Sequence, residues 1–280
     1  MEKTLKYREA VKLLQDRFPF EEYCVQASEG SSAYSNIALT CRRYLKPGSR
    51  ILDFGCGPCD KTALLQFLGF QCSGYDDLLD HWHMIPGNRE KIIAFARECG
   101  IELQVAGSNG ISFGRNTFDM IMLHDVLEHL HDSPRDLMND LLELVKPEGY
   151  LFVTVPNAVN IRKRLSVLFG RTNYPSFEDY YWYPSAWRGH VREYVREDLI
   201  KLSKYLNLEI VELRGCDHML HRLPVASRPV YVLLTAIFSG WKDSWMLVAK
   251  KKRGWATNKT LPEDELACIL RRDTPYKYAE

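Results

Sequence analysis

The chain has 280 residues, of which 46% are hydrophobic, which is enough to bury a full core in one large α/β domain or two smaller domains. Its formal net charge is +1, from 37 basic and 36 acidic residues, so no overall field favours nucleic acid or an acidic membrane. The first residues carry scattered charges and lack the continuous apolar stretch of a secretory signal, which favours a cytoplasmic protein with reduced cysteines.

Strand-like and helix-like segments alternate from residue 50 to about residue 155. The predicted strands are apolar enough for a sheet that is buried on both faces, and they cover residues 50–54, 70–75, 101–106, 118–124 and 149–155. A helix is predicted over 133–145, with Ser133 as its N-cap and Pro134 at its first position. This alternation predicts a doubly wound α/β fold with a mostly parallel sheet and helices on both faces.

The pattern changes after residue 155. Helices are predicted over 160–170, 196–206 and 230–238, and strands over 208–214 and 244–250. The last two strands are expected to form an antiparallel hairpin at the edge, which brings the sheet to seven strands. The apolar run 230–238 is far shorter than the roughly 20 residues of a spanning helix, so no membrane span is expected.

Three regions are predicted along the chain. A helical addition occupies residues 1–48, a main domain occupies 49–252 with an insert at about 158–195, and a polar tail occupies 253–280. The boundaries follow the first strand, the last strand and the change in pattern between them.

The most specific signal is the glycine-rich turn between the first strand and the next helix, in the run ILDFGCGPCDKT. Gly55 and Gly57 allow the backbone to approach a ligand closely, and Asp76 follows Asp53 at the spacing of a nucleoside-binding βαβ unit. The third glycine of a dinucleotide-binding turn is replaced by Asp60, whose carboxylate would repel a pyrophosphate. The turn therefore predicts a nucleoside without phosphates, and S-adenosylmethionine fits that description.

Residues 51–57, ILDFGCG, resemble the first motif of class I S-adenosylmethionine-dependent methyltransferases. The type resembled acts on small molecules and in glycan pathways (methyltransferase domains 11 and 23). Residues 116–124 are similar to the fourth strand of that family, and residues 145–157 are similar to its L-K-P-G-G turn and fifth strand. The resemblance covers roughly residues 34–250. It implies a Rossmann-like fold, S-adenosyl-L-methionine as cofactor and S-adenosyl-L-homocysteine as product. One departure is Cys59, which replaces the family's usual third glycine.

The resemblance also implies a set of cofactor-binding residues. Asp76 matches the acidic residue that binds the ribose hydroxyls. The acidic residue that often follows the third strand is absent, and Ser108 or Asn109 is the candidate replacement near the adenine amino group. Asp77 and Leu78 are candidates for the adenine edge or, alternatively, for capping the next helix. The other expected cofactor contacts are Asp53, Gly55, Cys56, Gly57 and His124.

A charged cluster, residues 124–132, directly follows the fourth strand. In a doubly wound sheet this loop faces the ligand cleft, and a hydroxyl acceptor benefits from losing its proton during methyl transfer. His129 is the first candidate for the general base and His190 the second, with a loop-orienting role as the alternative for His129. We expect no metal ion. The alternative is a Mg²⁺ site at Asp125, Glu128 and His129, which resemble the E-x-x-E-H motif of ubiquinone-pathway and small-RNA O-methyltransferases.

The acceptor is expected to contact the segments after the fifth strand. His190 is the second residue of the run G-H-V-R-E-Y, residues 189–194, which resembles a segment of methyltransferases in glycan and natural-product pathways. Arg192 is a candidate for holding an anionic substrate group or, alternatively, for an ordinary surface ion pair. The aromatic stretch 174–187, which includes Tyr181 and Trp182, either closes over an acceptor or packs the insert on the domain.

The favoured function is methyl transfer from S-adenosylmethionine to a hydroxyl of a small molecule or of a glycan or natural-product intermediate. The alternatives are N- or C-methylation, or a non-catalytic S-adenosylmethionine-binding protein on the same fold. An NAD-dependent oxidoreductase is disfavoured by Asp60 and by the lack of a downstream Tyr-x-x-x-Lys pair. No nucleic-acid partner is expected, because the charge is balanced, and the oligomeric state is left open.

Overall fold

A computed structural model describes residues 5–20, 33–107, 110–172, 174–218, 220 and 223–270. Its strands are β1 (Arg50–Phe54), β2 (Gln71–Asp76), β3 (Glu102–Val105), β4 (Phe118–His124), β5 (Val145–Pro156), β6 (Leu208–Cys216) and β7 (Ser244–Lys251). Its α-helices are α1 (Tyr7–Arg17), α2 (Ala33–Tyr44), α3 (Asp60–Phe67), α4 (Asn88–Glu98), α5 (Pro134–Leu144), α6 (Ile161–Leu168), α7 (Phe177–Tyr181), α8 (Arg196–Tyr205), α9 (Arg228–Ile237) and α10 (Glu263–Ile269).

The seven strands form one sheet in the order β3-β2-β1-β4-β5-β7-β6. The first five strands pair in parallel, and β7 pairs antiparallel with both β5 and β6. The predicted doubly wound, seven-stranded fold with an antiparallel C-terminal hairpin is therefore confirmed. The strand order reverses between β1 and β4, and ligands of such sheets bind at this switch point, outside the carboxyl ends of the strands.

Alternate residues of the central strands pack into two apolar clusters, one on each face of the sheet. On β4, Met120 and Met122 join the cluster that includes residues of α1 to α4, whereas Ile121 and Leu123 join the cluster built on α5 and α8. This two-residue period is that of a strand covered on both faces. Since residues of α1 and α2 belong to the first cluster, these helices pack on that face of the sheet. The domain boundaries at 48 and 252 stay a prediction.

Strand β5 begins at Val145, four residues earlier than the predicted start at residue 149, and so includes the Lys-Pro-Glu-Gly turn. Its pairing with β4 shifts register between Phe118 and Met120. The shift depends on Gly149, because a Cβ at this position would lie 2.9 Å from the carbonyl oxygen of Asp119. The turn is thus an irregularity inside a longer strand, which apolar periodicity does not indicate.

The caps of the helices near the sheet edge follow the sequence signals. The Ser133 hydroxyl accepts a hydrogen bond from the Arg135 N–H at the start of α5, and the Asn160 side chain accepts one from the Lys163 N–H at the start of α6. None of the helices in the described ranges is both long and apolar enough to cross a membrane.

Candidate functional site

A cleft of about 480 Å³ lies at the carboxyl ends of β1, β2 and β4. It is enclosed by the turn after β1, the end of β2, the loop after β4 and one arginine of the segment after α7. Its lining includes Gly55, Gly57, Asp76, Asp77, His129 and Arg188.

The glycine turn after β1 brings backbone to the cleft wall. Gly55 has a φ of 73°, and a Cβ there would lie 2.4 Å from Val126 Cγ2, so only glycine fits. Cys59, at the family's usual glycine position, also has a left-handed backbone with φ 63°. This conformation costs a non-glycine residue roughly 1–2 kcal/mol. Asp60 begins α3, is fully buried, and accepts a hydrogen bond from the Tyr34 hydroxyl.

Asp76 is held in one orientation by two backbone N–H groups. Its Oδ2 accepts from Gly57 N at 2.8 Å, and its Oδ1 accepts from Leu78 N at 2.7 Å. Each carboxylate oxygen has capacity for a further hydrogen bond, and the residue lines the cleft. The Leu78 side chain, by contrast, is fully buried in the apolar core, so it contributes to the cleft through its N–H contact with Asp76.

Asp77 and Arg188 form an ion pair that bridges the cleft. Arg188 Nη2 lies 2.9 Å from Asp77 Oδ1 and 2.8 Å from its Oδ2, although the two residues are 111 positions apart. The bridge connects the end of β2 with the segment that follows α7. Sequence reasoning missed Arg188, since no motif marks it.

Three of the predicted cofactor residues are buried behind the cleft wall. Asp53 accepts a hydrogen bond from the Thr62 hydroxyl at 2.6 Å, and burial raises the pKa of its carboxyl group to about 6. His124 Nδ1 lies 3.1 Å from the Thr154 hydroxyl, and burial lowers the pKa of this imidazole well below its usual range. Cys56 is also buried. The predicted residues Ser108 and Asn109 lie outside the described residues.

The Asp53→Asn variant is expected to be more stable than the wild type at pH 8, by about 3 kcal/mol, and equally stable near pH 4. The folded carboxyl has a pKa about two units above its ordinary value, so its ionisation opposes folding. The wild type therefore loses stability as the pH rises from about 4 through 6, whereas asparagine is neutral throughout and can still accept from Thr62. Urea unfolding of both proteins at the two pH values measures the difference. An equal difference in the free energy of unfolding at both pH values would contradict this prediction.

The loop after β4 places a buried carboxylate beside the cleft. The Glu128 side chain is fully buried, and within the described ranges neither of its carboxylate oxygens has a hydrogen-bond partner. Burial, with a smaller effect of Asp125, raises the pKa of Glu128 to about 9. The Glu128 carbonyl oxygen accepts from Val191 N at 2.6 Å and from Arg192 N at 3.2 Å, which ties the loop to the segment around His190.

The structure brings His129 and His190 together. His129 Nδ1 lies 2.7 Å from the Arg188 carbonyl oxygen, which can only accept, so this nitrogen donates and Nε2 keeps its lone pair. His190 Nδ1 lies 2.9 Å from Glu193 Oε1 and is oriented in the same way. Burial, with His129 as a further cause, lowers the pKa of His190 to about 4, and the two ring centroids are 5.0 Å apart.

Glu128, His129 and His190 form a group of potential metal ligands. One ligand atom from each lies within 4.8 Å of the others. Asp125, which the sequence motif suggested as a ligand, lines the cleft but is outside this group as found among the described residues. His190 takes its place. No sequence motif indicated that the two histidines would meet.

The predicted acceptor residues lie away from the main cleft. Arg192 pairs with Asp198 at 3.4 Å, and its side chain is 65% exposed. Tyr181 and Trp182 are exposed and contact each other. A cavity of about 520 Å³ beside His190 is lined instead by other aromatic side chains of the same stretch, namely Tyr174, Phe177, Tyr180 and Trp187.

The chain is similar to proteins of known family. A family model described as "Methyltransferase domain" matches residues 28–213. Phosphoethanolamine N-methyltransferase 1 of Triticum aestivum is 28% identical over 116 residues, which cover 39% of this chain and 21% of the relative. Ubiquinone biosynthesis O-methyltransferase, mitochondrial, of Bos taurus is 28% identical over 128 residues, which cover 44% of this chain and 32% of the relative. The chain thus spans about a fifth to a third of the length of these relatives.

The fold also matches solved structures. A SAM-dependent methyltransferase from Methanosarcina mazei has a TM-score of 0.53 and 17% identity, and the match covers 76% of this chain and 97% of that one. At this level of identity the match shows a shared fold.

Proposed function

Because the chain belongs to the methyltransferase-domain family, we propose that it binds S-adenosylmethionine in the cleft and catalyses methyl transfer to a hydroxyl oxygen. The acceptor is proposed to be a small molecule or a glycan or natural-product intermediate. The observation that supports the proposal is that Asp76 and His129 line the same cleft, so a carboxylate for the ribose hydroxyls and a base for the acceptor would share one cavity. When bound, the cofactor would supply an electrophilic methyl group on a sulfonium.

The cleft is proposed to bind the adenosine portion of the cofactor through hydrogen-bonding groups that are already held in place. Asp76, already oriented by two N–H groups, would accept from the two ribose hydroxyls. Gly55 and Gly57 would let the backbone reach the ligand closely. The bridge between Asp77 and Arg188 would lie over the adenosine portion, because it spans the cleft beside Asp76.

His129 is proposed to remove the acceptor's proton. A hydroxyl oxygen becomes a better nucleophile as it loses its proton, so a neutral imidazole with a free lone pair suits this acceptor. The Arg188 carbonyl fixes the His129 ring with Nε2 as the basic nitrogen. The O–CH₃ bond would form as the S–CH₃ bond breaks, the proton would pass to His129, and the product would be S-adenosylhomocysteine. The same fold also supports N- or C-methylation, which is the alternative.

A second proposal for the same cluster is a divalent cation. Glu128, His129 and His190 would hold it, and both histidines already donate their Nδ1–H to fixed acceptors, as metal-binding histidines commonly do. A carboxylate with two imidazoles suits Mn²⁺ or Zn²⁺ better than Mg²⁺, which prefers oxygen ligands. Such an ion would lower the pKa of an acceptor hydroxyl.

Formation of S-adenosylhomocysteine tests the function. Purified protein, S-adenosylmethionine and pools of hydroxylated metabolites are incubated with and without EDTA, and the product is quantified. The general-base proposal predicts turnover that EDTA leaves unchanged. Turnover that EDTA abolishes and Mn²⁺ or Zn²⁺ restores would assign the cluster to a cation. Cofactor binding without product in any pool would favour a non-catalytic binding protein.

A further inference from the structure

Helix α6 has no side that packs in the described apolar core. None of its residues is buried by the part of the chain that the structure describes. Leu165 and Leu168 are 47% and 75% exposed, and Phe169, directly after the helix, is 74% exposed. Eight residues are too few for a helix to be stable in water by intrinsic propensity. These apolar side chains are therefore available to a surface that would cover them.

Helix α9 has a second exposed apolar face. Its buried residues are Tyr231 and Thr235, whereas Val230, Leu233 and Ile237 are each 60–65% exposed. Exposed apolar groups of this extent on two helices are unusual for a monomeric protein and mark an interaction surface.

The two helices lie close together. Asn157, just before α6, donates its side-chain N–H groups to the carbonyl oxygens of Gly240 and Lys242, just after α9. Arg162 of α6 acts electrostatically on the phenol of Tyr231 in α9. We call the exposed side chains of α6, Phe169 and α9 the apolar–basic face.

The two chain segments that carry this face have charges of one sign. Residues 158–177 and 218–242 contain no aspartate or glutamate, although the whole chain has nearly balanced charge. Their basic residues are Arg162, Lys163, Arg164, Arg171, Arg222, Arg228 and Lys242. Two of these, Lys163 and Lys242, pair with acidic residues from outside these segments. The exposed positions Arg162, Arg164 and Arg171 stand beside the exposed leucines and Phe169.

We propose that the apolar–basic face docks on an anionic lipid membrane surface, with α6 and α9 lying in the interface. Leucine and phenylalanine side chains would enter the acyl boundary, while flanking arginines would reach the anionic headgroups. A second copy of this chain is a poor occupant, because a two-fold interface would set these basic residues against their own copies. The cavity beside His190 is lined by Thr172 and Tyr174, shortly after α6, so docking brings that cavity near the membrane.

Vesicle co-sedimentation of the full chain tests the proposal. The wild type should bind vesicles of phosphatidylcholine with phosphatidylglycerol, bind phosphatidylcholine alone far more weakly, and dissociate as salt increases. Leu168→Asp should weaken binding by about tenfold or more, since burial of one leucine corresponds to at least that factor. Arg162→Gln should weaken binding to the anionic vesicles and leave the weak binding to neutral vesicles unchanged.

The matched control is Leu39→Asp, a leucine that is 62% exposed and belongs to α2, outside the apolar–basic face. It should bind vesicles like the wild type. Gel filtration and thermal unfolding of every variant verify that oligomeric state and fold are intact. Equal affinity for both kinds of vesicle, no vesicle binding, or a wild-type dimer that Leu168→Asp dissociates would each overturn the proposal. The last result would assign the face to a second copy.

Discussion

Replacement of Asp76 by alanine is expected to weaken binding of S-adenosylmethionine by about a hundredfold or more. Two ribose hydroxyls would each lose a hydrogen bond to a carboxylate, and such bonds contribute roughly 1.5–3 kcal/mol each. The loss also frees the N–H groups of Gly57 and Leu78, which the carboxylate holds at 2.8 Å and 2.7 Å. Isothermal titration calorimetry of the variant gives the dissociation constant directly.

Two further variants accompany Asp76→Ala, one at the same position and one as a control. Asp76→Asn keeps the size of the side chain but replaces one acceptor with an N–H₂ group, so it should also lose most of the affinity. Asp132→Asn changes an exposed acidic residue of the loop after β4 and should bind like the wild type. Wild-type affinity in Asp76→Ala would refute the ribose assignment.

Replacement of His129 by alanine is expected to lower kcat by about 10²–10⁴-fold, the usual contribution of a positioned general base. Binding of S-adenosylmethionine should change little, because the proposed base contacts the acceptor. The measurement uses an acceptor found by the metabolite pools described above.

His131→Ala is the matched control for His129. His131 lies on the same loop, and its Nε2 is 2.7 Å from the Trp187 carbonyl oxygen, much as His129 contacts that of Arg188. Removal of either ring therefore breaks one contact with the same segment. A large loss of kcat in His129→Ala alone supports general-base catalysis, whereas equal losses in both variants would indicate that His129 only positions the loop. Full turnover of His129→Ala would exclude the base role.

The sheet and the glycine turn could be predicted because their signals are local. The apolar strands, the Ser133 cap and the Gly55 turn each reflect contacts within a few residues or one face of the sheet. β1 and β4 have the predicted bounds, and β2, β3, β6 and β7 differ from prediction by one or two residues at their ends. The start of β5 was missed because a register shift at Gly149 leaves no trace in hydrophobic periodicity.

The candidate site was harder to predict, because its key contacts join distant segments. The pairing of Asp77 with Arg188 and the approach of His190 to His129 both depend on how the segment after α7 folds back over the cleft. Leu78 was a candidate for the adenine edge because it follows Asp76 closely in the chain. Its side chain is instead buried by tertiary packing. Residue type identified the chemistry, whereas tertiary structure determined which groups meet.

The proposed function requires that the cleft at the switch point binds S-adenosylmethionine. Calorimetric titration of the wild-type chain with S-adenosylmethionine, S-adenosylhomocysteine and NAD⁺ tests it most directly. We predict one equivalent of either sulfur-containing nucleoside and no binding of NAD⁺, because Asp60 replaces the third glycine of a dinucleotide-binding turn. Binding of NAD⁺ without binding of either sulfur-containing nucleoside would contradict the account.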